Sequence, residues 1–131
     1  NLYGSTPEVF ELTAPATRIV SYTLINADTG KAIQALQNGA TLNLAQLPID
    51  LNVVVQVQGK PLGSLLVGLD NQPKYRLTTM TPYALFGIKN GKYVHGTFTP
   101  GKHTLYSEGW LEPTAKTLLA RGPTISFNVI G

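Results

Sequence analysis

Cysteine is missing from all 131 residues, so neither a disulfide framework nor a thiolate metal site is open to this chain. Charge is scarce as well, at 13% of residues, and histidine occurs only twice. A nucleophilic triad or a His-rich metal site would have to use His95 or His103, and neither has suitable sequence neighbours. The G-x-S-x-G elbow, the H-E-x-x-H pair and the phosphate-cradling glycine loop are all absent, which removes the commonest hydrolase, zinc-protease and nucleotide readings. No D-x-D-x-D-G run gathers oxygen ligands, so no metal or cofactor is expected, although a structural calcium at Asp28, Asp50 or Asp70 stays open. Apolar runs stop well short of the roughly 20 residues that span a bilayer, so membrane insertion is not expected. Ten Lys and Arg against seven Asp and Glu give a net +3, but the bases are scattered and form no stripe of the kind that neutralises phosphates. Nucleic acid is accordingly not an expected partner.

What the chain does have is a series of short β-type segments punctuated by turns. In Leu51-Asn-Val-Val-Val-Gln-Val57, residues Leu51, Val53, Val55 and Val57 share one face; Leu65, Val67 and Leu69 do the same in the next segment, as half-buried strands require. Further strands are predicted at Arg18 to Asn26, Ala32 to Leu36, Tyr75 to Thr79, Lys102 to Glu108 and Thr124 to Ile130. Asp28-Thr-Gly30, Asn38-Gly39, Asn90-Gly91 and Pro100-Gly101 supply turn chemistry between them. Thr41 to Leu44 reads as a strand, with one helical turn over Ala40 to Leu47 as the alternative. Pro82 to Gly87 reads as a buried crossover loop. The length suits one domain. The expectation is an all-β Greek-key sandwich of about seven to nine strands over residues 18–131. Residues 1–17, with Pro7 and Pro15 around Glu8 to Leu12, are expected to be a linker or edge strand. The start at Asn1 suggests a piece of something longer, and the two prolines guard against edge pairing, so a monomer is expected.

Among candidate binding residues Trp110 leads. A Trp in a Gly- and Pro-flanked loop presents a flat apolar face to a sugar ring while its indole N–H bonds a hydroxyl; the competing reading is the single Trp that a sandwich often buries. Tyr106, Tyr93 and Tyr75 follow on the same reasoning, and His95 is a loop histidine that could touch a ligand. Glu108 and Glu112 bracket Trp110. Glycosidase chemistry would need two carboxylates held roughly 5–10 Å apart across the scissile bond, an arrangement that sequence does not supply. His103 shares a strand face with Leu105 and reads as a core or boundary histidine bonded to backbone, while Asp28 and Asp70 read as turn residues capping their own backbone.

The segments Thr23-Leu-Ile-Asn-Ala-Asp-Thr-Gly30, Asn38-Gly-Ala-Thr-Leu-Asn-Leu44, Val67-Gly-Leu-Asp70, Pro82-Tyr-Ala-Leu-Phe-Gly87 and Gly101-Lys-His-Thr-Leu105 together resemble a bacterial extracellular immunoglobulin-like module. Such modules are appended to secreted hydrolases, malectin-type and surface proteins. The chain departs from the pattern at Ser107 to Lys116, where a Gly/Ser-rich stretch is expected. The resemblance implies an immunoglobulin-like sandwich without catalysis, located outside the cell, in the periplasm or on the surface, beside neighbouring domains of a larger parent chain. The expected function is recognition of a glycan or another cell-surface ligand through loop aromatics. The alternative is a structural spacer or interdomain packing module with no ligand of its own.

Overall fold

The computed structural model describes residues 17–131, and the expected linker or edge strand before Thr17 lies outside the described residues. Among the described residues twelve strands form two facing sheets and one small hairpin. The first sheet runs β2 (Ala32–Leu36), β1 (Arg18–Asn26), β4 (Leu51–Gln58), β7 (Tyr83–Ala84), every pair antiparallel. In the second the order is β3 (Thr41–Asn43), β12 (Ile125–Ile130), β10 (Gly101–Trp110), β5 (Ser64–Leu69), β6 (Gln72–Thr78), and its β3–β12 pair is parallel. Strand β11 (Leu118–Arg121) continues the β12 edge along the far half of β10. Strands β8 (Ile88–Lys89) and β9 (Lys92–Tyr93) make the separate hairpin around Asn90-Gly91. The protein is an all-β sandwich, as the strand periodicity predicts.

Alternation places the core. Leu51, Val53 and Val55 from one sheet meet Leu65, Val67, Leu105, Ile125, Phe127 and Val129 from the other, all buried. Strand β1 carries Ile19, Tyr22 and Leu24 inward, a spacing that a regular strand could not bury on one face. The pairing with β4 slips between Ile19 and Ser21, and that bulge at exposed Val20 resets the phase.

Several local expectations change. The segment from Ala40 to Leu47 is both things at once, strand β3 followed by a 3₁₀ turn over Leu44–Gln46 that Asn43 caps by accepting from Ala45 N. Pro82 to Gly87 is buried at Tyr83, Ala84 and Leu85 but contains strand β7, because its backbone adds to the edge of β4. Strand β11 was not signalled, since Leu118 and Leu119 are both exposed and so break the alternating pattern. Asp28 and Asp70 do not cap their own turns. Asn26 caps the first, accepting from Asp28 N and Thr29 N, whereas Asp70 reaches across to accept from Thr104 N and His103 Nδ1.

Three polar side chains tie segments of the fold together without any disulfide, and the first of them joins the two sheets. The Tyr22 hydroxyl on the first sheet lies 2.8 Å from Ser107 Oγ on the second and donates to Pro123 O at 2.7 Å. Gly122 passes so close to this pair that a Cβ there would meet Ser107, Ile19 and Tyr22, which explains why no side chain is tolerated. Burial pushes the Tyr22 phenol up to about 12, against a smaller opposing pull from its bond to Ser107. His103 is indeed a core histidine. It stacks on Phe127 at 5.6 Å, with Nε2 2.7 Å from Thr99 O and Nδ1 3.0 Å from Asp70. Asn52, fully buried on β4, is the third tie and leads to the site.

Candidate functional site

Asn52 fixes one wall of a concavity at the edge of the sandwich. Its Nδ2 donates to Gly87 O and Val94 O, and its Oδ1 accepts from Phe86 N and Val53 N. One amide therefore pins both ends of the 86–94 segment, and the β8–β9 hairpin stands out from the sandwich on that base. Leu51 and Gly96 exchange backbone hydrogen bonds just beyond it. On the other side, Arg76 of β6 donates from Nε to Leu85 O at 3.1 Å, drawing the edge of the second sheet toward the same segment. Between the two walls lies a groove of about 580 Å³, floored and lined by Arg76, Thr79, Met80, Thr81, Ile88 and Tyr93 among others.

The groove mixes chemistries at short range. Tyr93 brings an aromatic ring, Met80 (75% exposed) and Ile88 bring apolar surface, and the Thr79 and Thr81 hydroxyls bring polar groups with no side-chain hydrogen bond among the described residues. Arg76 is half-buried; beyond the Nε bond its terminal nitrogens carry no hydrogen bond or ion pair among the described residues. Among the described residues no carboxylate lines the cavity. Of the residues singled out from sequence, only Tyr93 lies in it. Tyr75 is next to Arg76 on β6, half-buried against the core. His95 lies in the loop after β9, its Nδ1 3.4 Å from Asp50 and its Nε2 4.0 Å from Asp28, all three side chains well exposed. Among the described residues no group of three or more His, Asp or Glu is arranged to hold a metal ion.

The other candidates gather elsewhere. Tyr106, Glu108 and Trp110 alternate with inward Leu105, Ser107 and Gly109, which puts them on the outer face of the second sheet. Trp110 is not in a loop. It ends β10, opposite Ser64 and Leu118, half-buried, and its indole Nε1 is covered without a hydrogen-bond partner among the described residues. Tyr106 lies against Gly68 so closely that any Cβ on Gly68 would strike the ring, which is how a large aromatic covers a glycine on a neighbouring strand. Glu108 pairs with Arg121 at 2.7 Å. Glu112 closes the β10–β11 loop, accepting from the backbone of Lys116 and Thr117 and from the Thr117 hydroxyl; those bonds, that hydroxyl first, hold its carboxyl below the usual range. Both carboxylates are thus occupied within the fold.

Sequence reading missed Arg76, Thr79, Met80 and Thr81. One signal was available: no Asp or Glu occurs between Asp70 and Glu108, while Lys74, Arg76, Lys89, Lys92 and Lys102 all fall there. The bases scatter along the whole chain but concentrate on the two elements that frame the groove. No helix among the described residues is long and apolar enough to cross a membrane. Comparison with known proteins assigns no family: no family model matches the chain, and no curated protein or solved structure does so either.

Proposed function

We propose that the chain is a non-catalytic, immunoglobulin-like recognition module that binds carbohydrate in the groove between β6 and the β8–β9 hairpin. The observation that carries this reading is the meeting of the Tyr93 ring, the Thr79 and Thr81 hydroxyls and the Arg76 guanidinium around one cavity of about 580 Å³. Sugars are held in this manner, by an aromatic face under the ring and polar groups around its hydroxyls. Support for the immunoglobulin-like assignment comes from strand order. With β1, β4 and β7 as strands A, B and E, and β5, β10 and β12 as C, F and G, the two sheets have the A-B-E and C-F-G neighbours of that fold, without a D strand among the described residues. A single site of this kind gives weak affinity that repetition in a parent chain strengthens, which suits a monomeric module of a secreted, periplasmic or surface-exposed bacterial protein.

A glycan array probed with multivalently presented protein tests the reading. Binding lost in Tyr93→Ala and kept in Trp110→Ala supports the groove. The opposite pattern moves the site to the outer face of β10, and a blank array from folded protein removes carbohydrate recognition altogether.

One observation favours a spacer or interdomain packing module instead. On the outer face of the second sheet Leu77 lies opposite Leu66 and Leu118 opposite Trp110, the two pairs set diagonally to each other, with Leu77 48% exposed. A neighbouring domain seated there would cover them. Under this reading a tandem chain containing the neighbour shows those positions protected from labelling.

A further inference from the structure

Resting on the groove as a saccharide site, we infer that it selects saccharides bearing an oxyanion, a carboxylate or a sulfate, and that Arg76 is the group that takes it. Arg76 uses only Nε within the fold, donating to Leu85 O. Its two terminal nitrogens lie at the groove and make no hydrogen bond or ion pair among the described residues. A guanidinium is satisfied by two parallel bonds to a planar oxyanion, and a half-buried one gains more from such a partner than an exposed one because water screens it less. Gly87 leaves room for the guanidinium, since a Cβ there would come to 3.2 Å of Nη1.

The surroundings carry the same sign. None of the lining residues is acidic, and the hairpin wall adds exposed Lys89 and Lys92. The carboxylates of Asp28 and Asp50 face His95, those of Glu108 and Glu112 are bonded to Arg121 and to the β10–β11 loop, and Asp70 is bonded to His103 and Thr104. None of them neutralises the groove. An anionic chain approaching it meets Lys89 and Lys92, and no acidic lining residue among the described residues, before reaching the Arg76 guanidinium. Tyr93, Thr79 and Thr81 then hold the sugar, while Arg76 discriminates by charge.

The test compares three polymers on the full chain presented multivalently at an ionic strength of about 0.15 M: polygalacturonate, dextran sulfate and neutral dextran. Wild-type protein is expected to prefer one polyanion over dextran by about tenfold or more, the carboxylate and sulfate arms separating the two sources of the oxyanion. Arg76→Gln abolishes that preference, and Arg76→Lys restores only part of it, because an ammonium lacks the fork. Tyr93→Ala loses all three polymers. Because Arg76 also braces Leu85 O, the double variant Lys89→Gln/Lys92→Gln, on the exposed hairpin, serves as a second test; it lowers polyanion affinity about threefold at low salt and leaves the preference at higher salt. A preference that disappears in the lysine variant but survives in folded Arg76→Gln overturns the assignment to Arg76. Equal, Tyr93-dependent binding of dextran and the polyanions overturns charge selection while leaving the saccharide site standing. No binding of any polymer by folded protein overturns both.

Discussion

The groove beside β6 and the outer face of β10 both present aromatic rings toward solvent, yet the fold holds them in opposite ways. On β10, Tyr106 lies against Gly68, Trp110 is half-buried opposite Ser64 and Leu118, and Glu108 is paired with Arg121. The groups there lie in a ladder of cross-strand neighbours, with Glu108 bonded to Arg121 and the Trp110 Nε1 covered but unbonded, and removing one leaves the rest in register. The groove is built from fewer and longer-range supports. Its hairpin wall is fastened by the Asn52 amide and its sheet wall by the Arg76 Nε bond, while Tyr93 and the Thr79 and Thr81 hydroxyls are left uncommitted. A surface whose polar groups are bonded or covered within the fold suits packing, whereas one whose polar groups stand uncommitted beside a cavity suits a ligand. The difference argues for the groove as the site and for the β10 face as structure.

The strongest way to break this comparison is through Asn52. Asn52→Leu keeps the branching and heavy-atom count of the side chain but strips four hydrogen bonds, leaving Phe86 N, Gly87 O and Val94 O without partners in a buried setting. The expected loss is about 4 kcal/mol, read from urea unfolding, because each stranded buried group costs roughly 1–3 kcal/mol. Protease nicking within 86–94 should rise before global unfolding. If the variant unfolds as wild type does, with no loss of stability, the groove does not depend on that amide.

Tyr22 sharpens the contrast from the side of the sandwich itself. Its folded-state phenol is raised from 10.0 to about 12, so the stability this group contributes is complete below pH 10 and is lost as pH climbs through about 12. The two-unit shift corresponds to roughly 2–3 kcal/mol. Wild-type protein should therefore soften across that alkaline window, and Tyr22→Phe, which leaves Ser107 and Pro123 O short of a partner at neutral pH at a cost of about 1–2 kcal/mol, should soften less there. An identical alkaline profile in the two proteins would place the loss in another group.

Trp110 tests the packing half of the comparison. Trp110→Ala is expected to cost about 2 kcal/mol, less than for a fully buried Trp, while Trp110→Phe costs within about 1 kcal/mol because its covered Nε1 has no partner to lose. Thermal unfolding distinguishes the two. A cost in Trp110→Phe as large as in Trp110→Ala would mean that the indole N–H has a bond of its own.

How much of this was legible beforehand divides along the same line. Strand positions came from alternation, as in Leu51-Val53-Val55 and Ile125-Phe127-Val129, because a sheet face repeats every two residues and needs only local sequence. The core role of His103 followed from the same repeat. Contacts made across the chain left no such trace. Tyr22 meets Ser107 at a separation of 85 positions, and Asn52 meets Val94 at 42; each looks like an ordinary strand residue until the sheets are stacked. Trp110 was misplaced for a related reason, since Gly109 and Pro113 read as loop punctuation, yet Gly109 is a strand residue whose missing side chain makes room for Leu62. The groove was the least legible part. It draws on β6, the loop after it and the β8–β9 hairpin, and only the acid-free run from Asn71 to Ser107 marks the region in sequence.

The smallest expected effect on stability is the one that most sharpens the comparison. Tyr93 is half-buried at the end of β9, its ring beside Gly30 of the β1–β2 turn, where an added Cβ would come to 3.5 Å of it, and its hydroxyl makes no hydrogen bond among the described residues. Removing it should therefore cost about 1 kcal/mol, below Trp110→Ala, because the ring is smaller than an indole and only partly withdrawn from water. If the groove is the binding surface, Tyr93→Ala loses most of its affinity for the ligand while melting within a few degrees of wild type, since about 1 kcal/mol moves the midpoint of a domain this size only slightly. Trp110→Ala should do the reverse, melting earlier and binding as before. A Tyr93→Ala protein that melts far below wild type would show that the ring is packed as firmly as those on β10, and the distinction between a positioned surface and a packed one would fail at its chosen residue.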